Sequence, residues 1–152
     1  MTIETRLKEL GIILPEAAAP VASYTPLVVH SGFVHVSGQL PFAQGALMTG
    51  RLGEDVNLEQ GIEAARACGL MILAQLKAAD LLDKVERVIK LGAFVNSTSD
   101  FTDQPKVANG ASDLMFDVFG EQGRHARAAV GVPVLPLGAA VEVDAVIAVS
   151  NG

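Results

Sequence analysis

Between Arg124 and Val146 the chain sets one arginine, Arg127, and one glutamate, Glu142, into two runs that alternate with the period of a strand. Ala128, Val130, Val132 and Val134 alternate with Arg127, Ala129, Gly131 and Pro133, and Val141, Val143 and Ala145 alternate with Glu142 and Asp144. Residues two apart share a face of a strand. The pattern therefore predicts a β-hairpin with one β-branched face and one face of small residues that carries Arg127 and Glu142. Two chemistries fit such a pair. One is a cross-strand ion pair on a solvated face, worth less than about 1 kcal/mol. The other is a carboxylate-binding guanidinium beside an acid that handles water.

Other residue types are less telling. Tyr24 is the only tyrosine and suits packing as well as a pocket wall. Ser37, within Ser37-Gly38-Gln39, suits a hydroxyl that satisfies backbone at a strand end. Asn109 falls in a helical stretch where asparagine is mildly unfavourable, which points to a use for its amide. His30, His35 and His125 lack metal-ligand spacing, so no metal is expected; His125, two residues from Arg127, could share its face but reads rather as a surface imidazole. No GxGxxG, GxxxxGK[ST] or GxSxG motif is present, which removes sequence support for a nucleotide cofactor or an acyl-enzyme; no cofactor is expected. Cys68, the single cysteine, sits in a helical apolar pattern and reads as a packed thiol.

These side chains need a scaffold, and 152 residues suit a single domain, 1–152, with a helical extension over about 2–20. Half the residues are hydrophobic, 18% are charged and mean hydropathy is +0.39, so one copy cannot cover its apolar surface with polar groups and self-association is expected. The net charge of −6 argues against sequence-independent nucleic-acid binding, which rests on clustered Lys and Arg. Every apolar run is interrupted well short of the ~20 residues of a membrane span. The alternating start, Met-Thr-Ile-Glu-Thr-Arg-Leu-Lys-Glu-Leu, lacks a signal-peptide core. A cytoplasmic location without membrane contact is expected.

Thr2 is placed to cap a short helix ended by Gly11, and residues 15–20 are expected to be extended. Leu27 to His30 and Phe33 to Ser37 flank Ser31-Gly32 as a hairpin. Residues 45–53 read as loop with at most a short edge strand. Asn57 and Gln60 open a long slim helix with Leu58, Ile62, Ala65, Gly69, Ile72 and Leu76 on one face. Val85 to Asn96 predicts a central strand, with Val88, Lys90, Gly92, Phe94 and Asn96 on one side. Thr102 or Asp103 with Pro105 starts a further helix that faces inward through Val107, Ala111, Leu114, Met115 and Val118 until Gly120. The class is α+β: a mixed sheet of five or six strands with two helices packed on one face. The bare face is expected to be a subunit interface holding a polar pocket.

Arg127-Ala-Ala-Val130, Leu135-Pro136 and Val141-Glu-Val-Asp-Ala145, with Val36-Ser-Gly-Gln-Leu-Pro41 upstream, resemble in order and spacing the YjgF/RidA family. These are the reactive-intermediate deaminases once labelled L-PSP endoribonucleases. The N-terminal helix and the run Gly123-Arg-His-Ala-Arg-Ala-Ala-Val-Gly-Val132 resemble a longer, mostly uncharacterised subgroup. The resemblance implies a chorismate mutase-like fold and a homotrimer with a pocket at each subunit boundary. It implies that Arg127 binds a substrate carboxylate, that Glu142 positions water, and that Tyr24, Ser37 and Asn109 line the pocket. Ala129 stands where the family often has cysteine; the family uses the backbone there to hold the imine nitrogen. The activity implied is hydrolysis of an enamine or imine to a 2-keto acid and ammonia. The alternatives are a trimeric protein that binds small carboxylates without turnover, and the RNase or translation-inhibitor activity attached to the family name.

Overall fold

The computed structural model describes residues 1–19 and 23–151. Helix α1 (Ile3–Glu9) starts where Thr2 accepts a hydrogen bond from the Thr5 amide, and ends in the turn at Gly11. It clasps the fold: Leu7 is buried, Arg6 Nε donates to Asp117 O, and the Ile3 amide donates to Asp83. Residues 15–19 form no regular element, and the rest of the stretch expected to be extended lies outside the described residues. Strands β1 (Leu27–His30) and β2 (Phe33–Gln39) make the expected hairpin. Both turn residues, Ser31 at φ 51° and Gly32 at φ 80°, are left-handed, the requirement of a tight turn between twisted strands. A separate two-stranded ribbon, β3 (Phe42–Ala43) and β4 (Ala46–Leu47), occupies part of the Gly-rich loop and does not join the main sheet.

Helix α2 (Leu58–Ala78) carries the reciprocal capping box of Asn57 and Gln60. Strand β5 (Val85–Asn96), helix α3 (Gln104–Phe119), strand β6 (Ala126–Val132) and strand β7 (Val141–Val149) complete the chain. The inward residues expected of α3 are all buried. The two long helices approach closely because of their small residues. At Gly110 of α3 a Cβ would overlap the Ile62 carbonyl of α2.

The sheet is mixed, in the order β1-β2-β7-β5-β6, antiparallel throughout except for the parallel pair β5 and β6. With α2 and α3 over the core, this is the α+β layout expected, with five strands in the main sheet. One expectation is overturned. β6 and β7 are not a hairpin, because β5 lies between them and pairs with both. The link from Pro133 to Ala140 is too long for a tight turn. It bonds instead to residues 48–50, through Gly50 N to Gly138 O and Ala140 N to Met48 O. The crossover through α3 lays β6 parallel to β5, and β5 is buried through Leu91, Ala93 and Val95.

The second correction follows from the first. Arg127 pairs with Leu91 and Glu142 pairs with Phe94, and those two positions of β5 point to opposite faces. Arg127 and Ala129 lie on the helix side of the sheet, whereas Glu142 lies on the bare side with Phe33, His35, Phe94, Ala128, Val130 and Val146. A third correction concerns Val88, which is buried with Leu91 while Ile89 is exposed. A bulge between Val88 and Lys90 resets the alternation there.

Candidate functional site

The expected site residues fall into two clusters on different sides of the sheet. The first is built where α3 passes over the edge strand β6. Asn109 and Ser112 stand three residues apart and so share one face of α3. Arg127 extends toward them from β6. Its Nη1 donates to Asn109 Oδ1 at 2.8 Å and to Ser112 Oγ at 3.1 Å. Both hydrogens of Nη1 are then used. Among the described residues no acceptor is bonded to Nε or Nη2, so the side-on edge of the guanidinium is left for a ligand. Arg127 lines a cavity of about 440 Å³ together with Ser112, Asp113, Phe116, Arg124 and His125.

His125 is the residue that sequence reasoning misjudged. It is half-buried rather than a surface imidazole, because just ahead of β6, two residues before Arg127, it lies against Ser112 of α3. Nδ1 lies 2.7 Å from Gly123 O and Nε2 lies 2.8 Å from Ser112 Oγ. Burial, then the Arg127 and Arg87 guanidiniums, push its pKa below the ordinary value, against the hydrogen bond to Gly123. The ring is therefore neutral near pH 7. Ser112 was not foreseen either, although its spacing from Asn109 carried the signal.

The second cluster lies where β2 meets β7. Val36 pairs with Ala145 and Gln39 with Val143, so Ser37 and Gly38 together oppose the single residue Asp144, as in a β-bulge. The bulge brings Gly38 against Glu142, and a Cβ on Gly38 would overlap the Glu142 carboxylate. Among the described residues nothing hydrogen-bonds to Glu142 or pairs with its charge. Burial first, and Asp144 on the same face second, raise its pKa. Ser37 Oγ donates to Thr25 O at 2.9 Å, the backbone-satisfying role. Tyr24, 53% exposed, lines a cavity of about 190 Å³ with Gly38, Gln39, Leu40 and Phe42. The buried Gln75 also lines that cavity and donates to Ala18 O and to Gln39 Oε1.

Arg127 and Asn109 are thus brought together, as are Glu142 and the bulge at Ser37 and Gly38, but the two clusters do not meet within one copy. β5 separates them, they face opposite sides, and their register differs by three residues, about 10 Å along the strands. Ala129 stands beside Ala93 on the helix side with Arg127. Cys68 is buried, and burial together with the Glu142 charge raises its pKa, which leaves it an unreactive packed thiol. No helix among the described residues is long and apolar enough to cross a membrane.

The family profile described as "YjgF/chorismate mutase-like, putative endoribonuclease" matches residues 4–148. The Trypanosoma cruzi protein TCP17 is 53% identical over 152 residues, covering 98% of this chain and 95% of its own. The crystal structure of Atu1372 from Agrobacterium tumefaciens, titled as of unknown function, is 48% identical with a TM-score of 0.90, over 97% of this chain and 92% of that one. A structure from Shewanella oneidensis MR-1, titled "putative endoribonuclease", is 36% identical with a TM-score of 0.94, over 98% of this chain and 100% of that one.

Proposed function

Because the chain belongs to the YjgF/RidA family, and because Arg127 lines a cavity with one guanidinium edge unbonded, we propose that it hydrolyses enamine or imine intermediates to 2-keto acids and ammonia. The Arg127 edge is the observation that carries the reading. A carboxylate bound there by two parallel N–H donors has a fixed orientation, so the adjacent C=N carbon is fixed too. Water adds to that carbon, the resulting carbinolamine loses ammonia, and the C=O of the keto acid forms. An imine is electrophilic enough for this without a metal.

Glu142 is the group that orients the water and accepts its proton. Its raised pKa suits a proton acceptor poised nearer neutrality than an ordinary carboxylate. Since the two clusters lie on opposite faces of one sheet, the site is completed between copies, Arg127 and Asn109 from one and Glu142 and Tyr24 from the next. The bare apolar face, with Phe33 43% and Val130 46% exposed, supports assembly, and the form proposed is a homotrimer.

The test generates imines in situ with an amino-acid oxidase and follows their loss by semicarbazide trapping, with and without the protein. Accelerated loss that falls about a hundredfold in Arg127→Lys is expected, since an ammonium cannot reproduce the fork. Imine decay at the buffer rate across several amino acids, with a 2-keto acid still bound in calorimetry, would leave a binding protein without turnover. Light scattering that shows a monomer at micromolar concentration would remove the shared site.

A further inference from the structure

The chain of hydrogen bonds behind Arg127 carries a second step, which rests on the reading of Arg127 as the carboxylate anchor. We infer that Ser112 and His125 are positioning residues that hold the guanidinium in one orientation, so that the substrate carboxylate docks on its Nε and Nη2 edge and on no other.

With the His125 ring neutral, the direction of each bond in the chain follows. A carbonyl oxygen only accepts, so the hydrogen of the neutral His125 ring sits on Nδ1 and points at Gly123 O. Nε2 is then an acceptor, and Ser112 Oγ–H donates to it across 2.8 Å. With its hydrogen committed, Ser112 Oγ turns a lone pair toward Arg127 Nη1. Asn109 Oδ1 takes the other Nη1 hydrogen, which leaves the Asn109 amide NH2 facing away as a donor. The end-on fork of the guanidinium is blocked because both Nη1 hydrogens are spent, and the side-on fork is what remains.

The same four groups argue against a serine nucleophile. Ser112 lies in the interior of α3, where the surrounding N–H groups belong to the helix's own ladder, so no backbone donor is available to take an oxyanion. Gly123 is held where it is by packing, since a Cβ there would overlap the Met115 carbonyl of α3. The base of the relay is thereby tied to the same helix that carries Ser112 and Asn109. The charged groups facing His125 are Arg127 on β6, Arg87 on β5, and Arg124 and Asp113 at the cavity wall. Burial first, and then the Arg127 and Arg87 guanidiniums, hold the imidazole in the neutral form that the relay needs.

Two measurements test the inference. In nitrogen-15 spectra of the ligand-free protein at pH 7, His125 should show the Nδ1–H tautomer and Arg127 should show resolved, slowly rotating Nη signals. Ser112→Ala and His125→Ala should each collapse those signals to an averaged line. Arg127 signals that are averaged in the wild type, or unchanged in His125→Ala, would overturn the inference whatever the protein does with imines. In calorimetry with pyruvate, each single variant should weaken binding about tenfold. The double variant should be no weaker than either single one, because the two act as a unit. His125→Gln, whose Oε1 can accept from Ser112, should restore most of the loss, and in an Arg127→Met background neither substitution should matter. Additive losses that persist without Arg127 would mean a merely structural role. A wild type that binds no pyruvate and turns over no imine would defeat the proposed function, while the spectra would still decide the orientation of Arg127.

Discussion

The Arg127 cluster and the Glu142 cluster differ in how far one copy of the chain completes them. Around Arg127 the chain supplies its own partners: Asn109 and Ser112 accept from the guanidinium, Ser112 bonds to His125, and His125 bonds to the Gly123 carbonyl. Around Glu142 it supplies a bulge, a glycine and partial burial, and no polar partner among the described residues. The difference reflects position in the sheet. β6 is an edge strand under α3, so its inward side chains find helix residues. Glu142 points from an interior strand toward a face that no helix covers. One cluster is finished by folding and the other lacks a polar partner within one copy, the arrangement expected under the proposal of a site shared between identical copies.

The sharpest way to break that comparison is to remove the acid. Glu142→Gln keeps size and hydrogen bonding and removes the proton acceptor, so turnover of oxidase-generated imine should fall by about a hundredfold or more. Pyruvate affinity should stay within a few fold of wild type, since the anchor is on the other cluster. Full turnover in this variant would make Glu142 structural and move attention to Tyr24 and Asn109 as the groups that place water.

A smaller effect should follow from Gly38→Ala. The new methyl would occupy the space of the Glu142 carboxylate, which must swing aside. A loss of about tenfold in turnover is expected, at a cost near 1 kcal/mol in urea unfolding, with the Arg127 nitrogen-15 signals unmoved. An altered Arg127 spectrum would show that the two clusters are coupled inside one copy, against the separation drawn from the sheet order.

Which parts of this were legible in the sequence follows from the range of the forces involved. The capping box at Asn57, the turn at Ser31-Gly32 and the inward face of α3 are local patterns, and each is where its residues place it. Arg127, Glu142 and Asn109 stood out because a charge or an amide among small apolar residues is costly without a purpose. Strand pairing is not local. β6 and β7 read as a hairpin because they are neighbours in sequence, and the insertion of β5 between them depends on the crossover through α3 that lays β6 parallel to β5. That one error put Arg127 and Glu142 on the same face. The relay behind Arg127 escaped notice for the opposite reason, since Ser112 and His125 are ordinary residues whose meaning depends on α3 crossing β6.

The smallest expected effect compares the two clusters through pH. Folding pushes both titrating groups toward their neutral forms, His125 downward and Glu142 upward, so their contributions to stability run in opposite directions. For His125 the unfolded chain binds the proton more tightly. Its contribution is therefore complete above the unfolded value of about 6.5 and is lost as the pH falls through the lower folded value. For Glu142 the folded chain binds the proton more tightly. Its contribution is complete below about 4.5 and is lost as the pH rises through the higher folded value. Both groups are only partly buried, so solvent screening keeps each effect small. Urea unfolding from pH 4 to 8 at one protein concentration separates them. His125→Gln should flatten the decline in stability below pH 6.5. Glu142→Gln should be more stable than wild type at pH 7, with the gap closing toward pH 4. A Glu142→Gln chain less stable than wild type at pH 7 would mean that the carboxylate has a cationic partner in the assembled molecule, and the contrast between a finished and an unfinished cluster would then hold for the isolated copy alone.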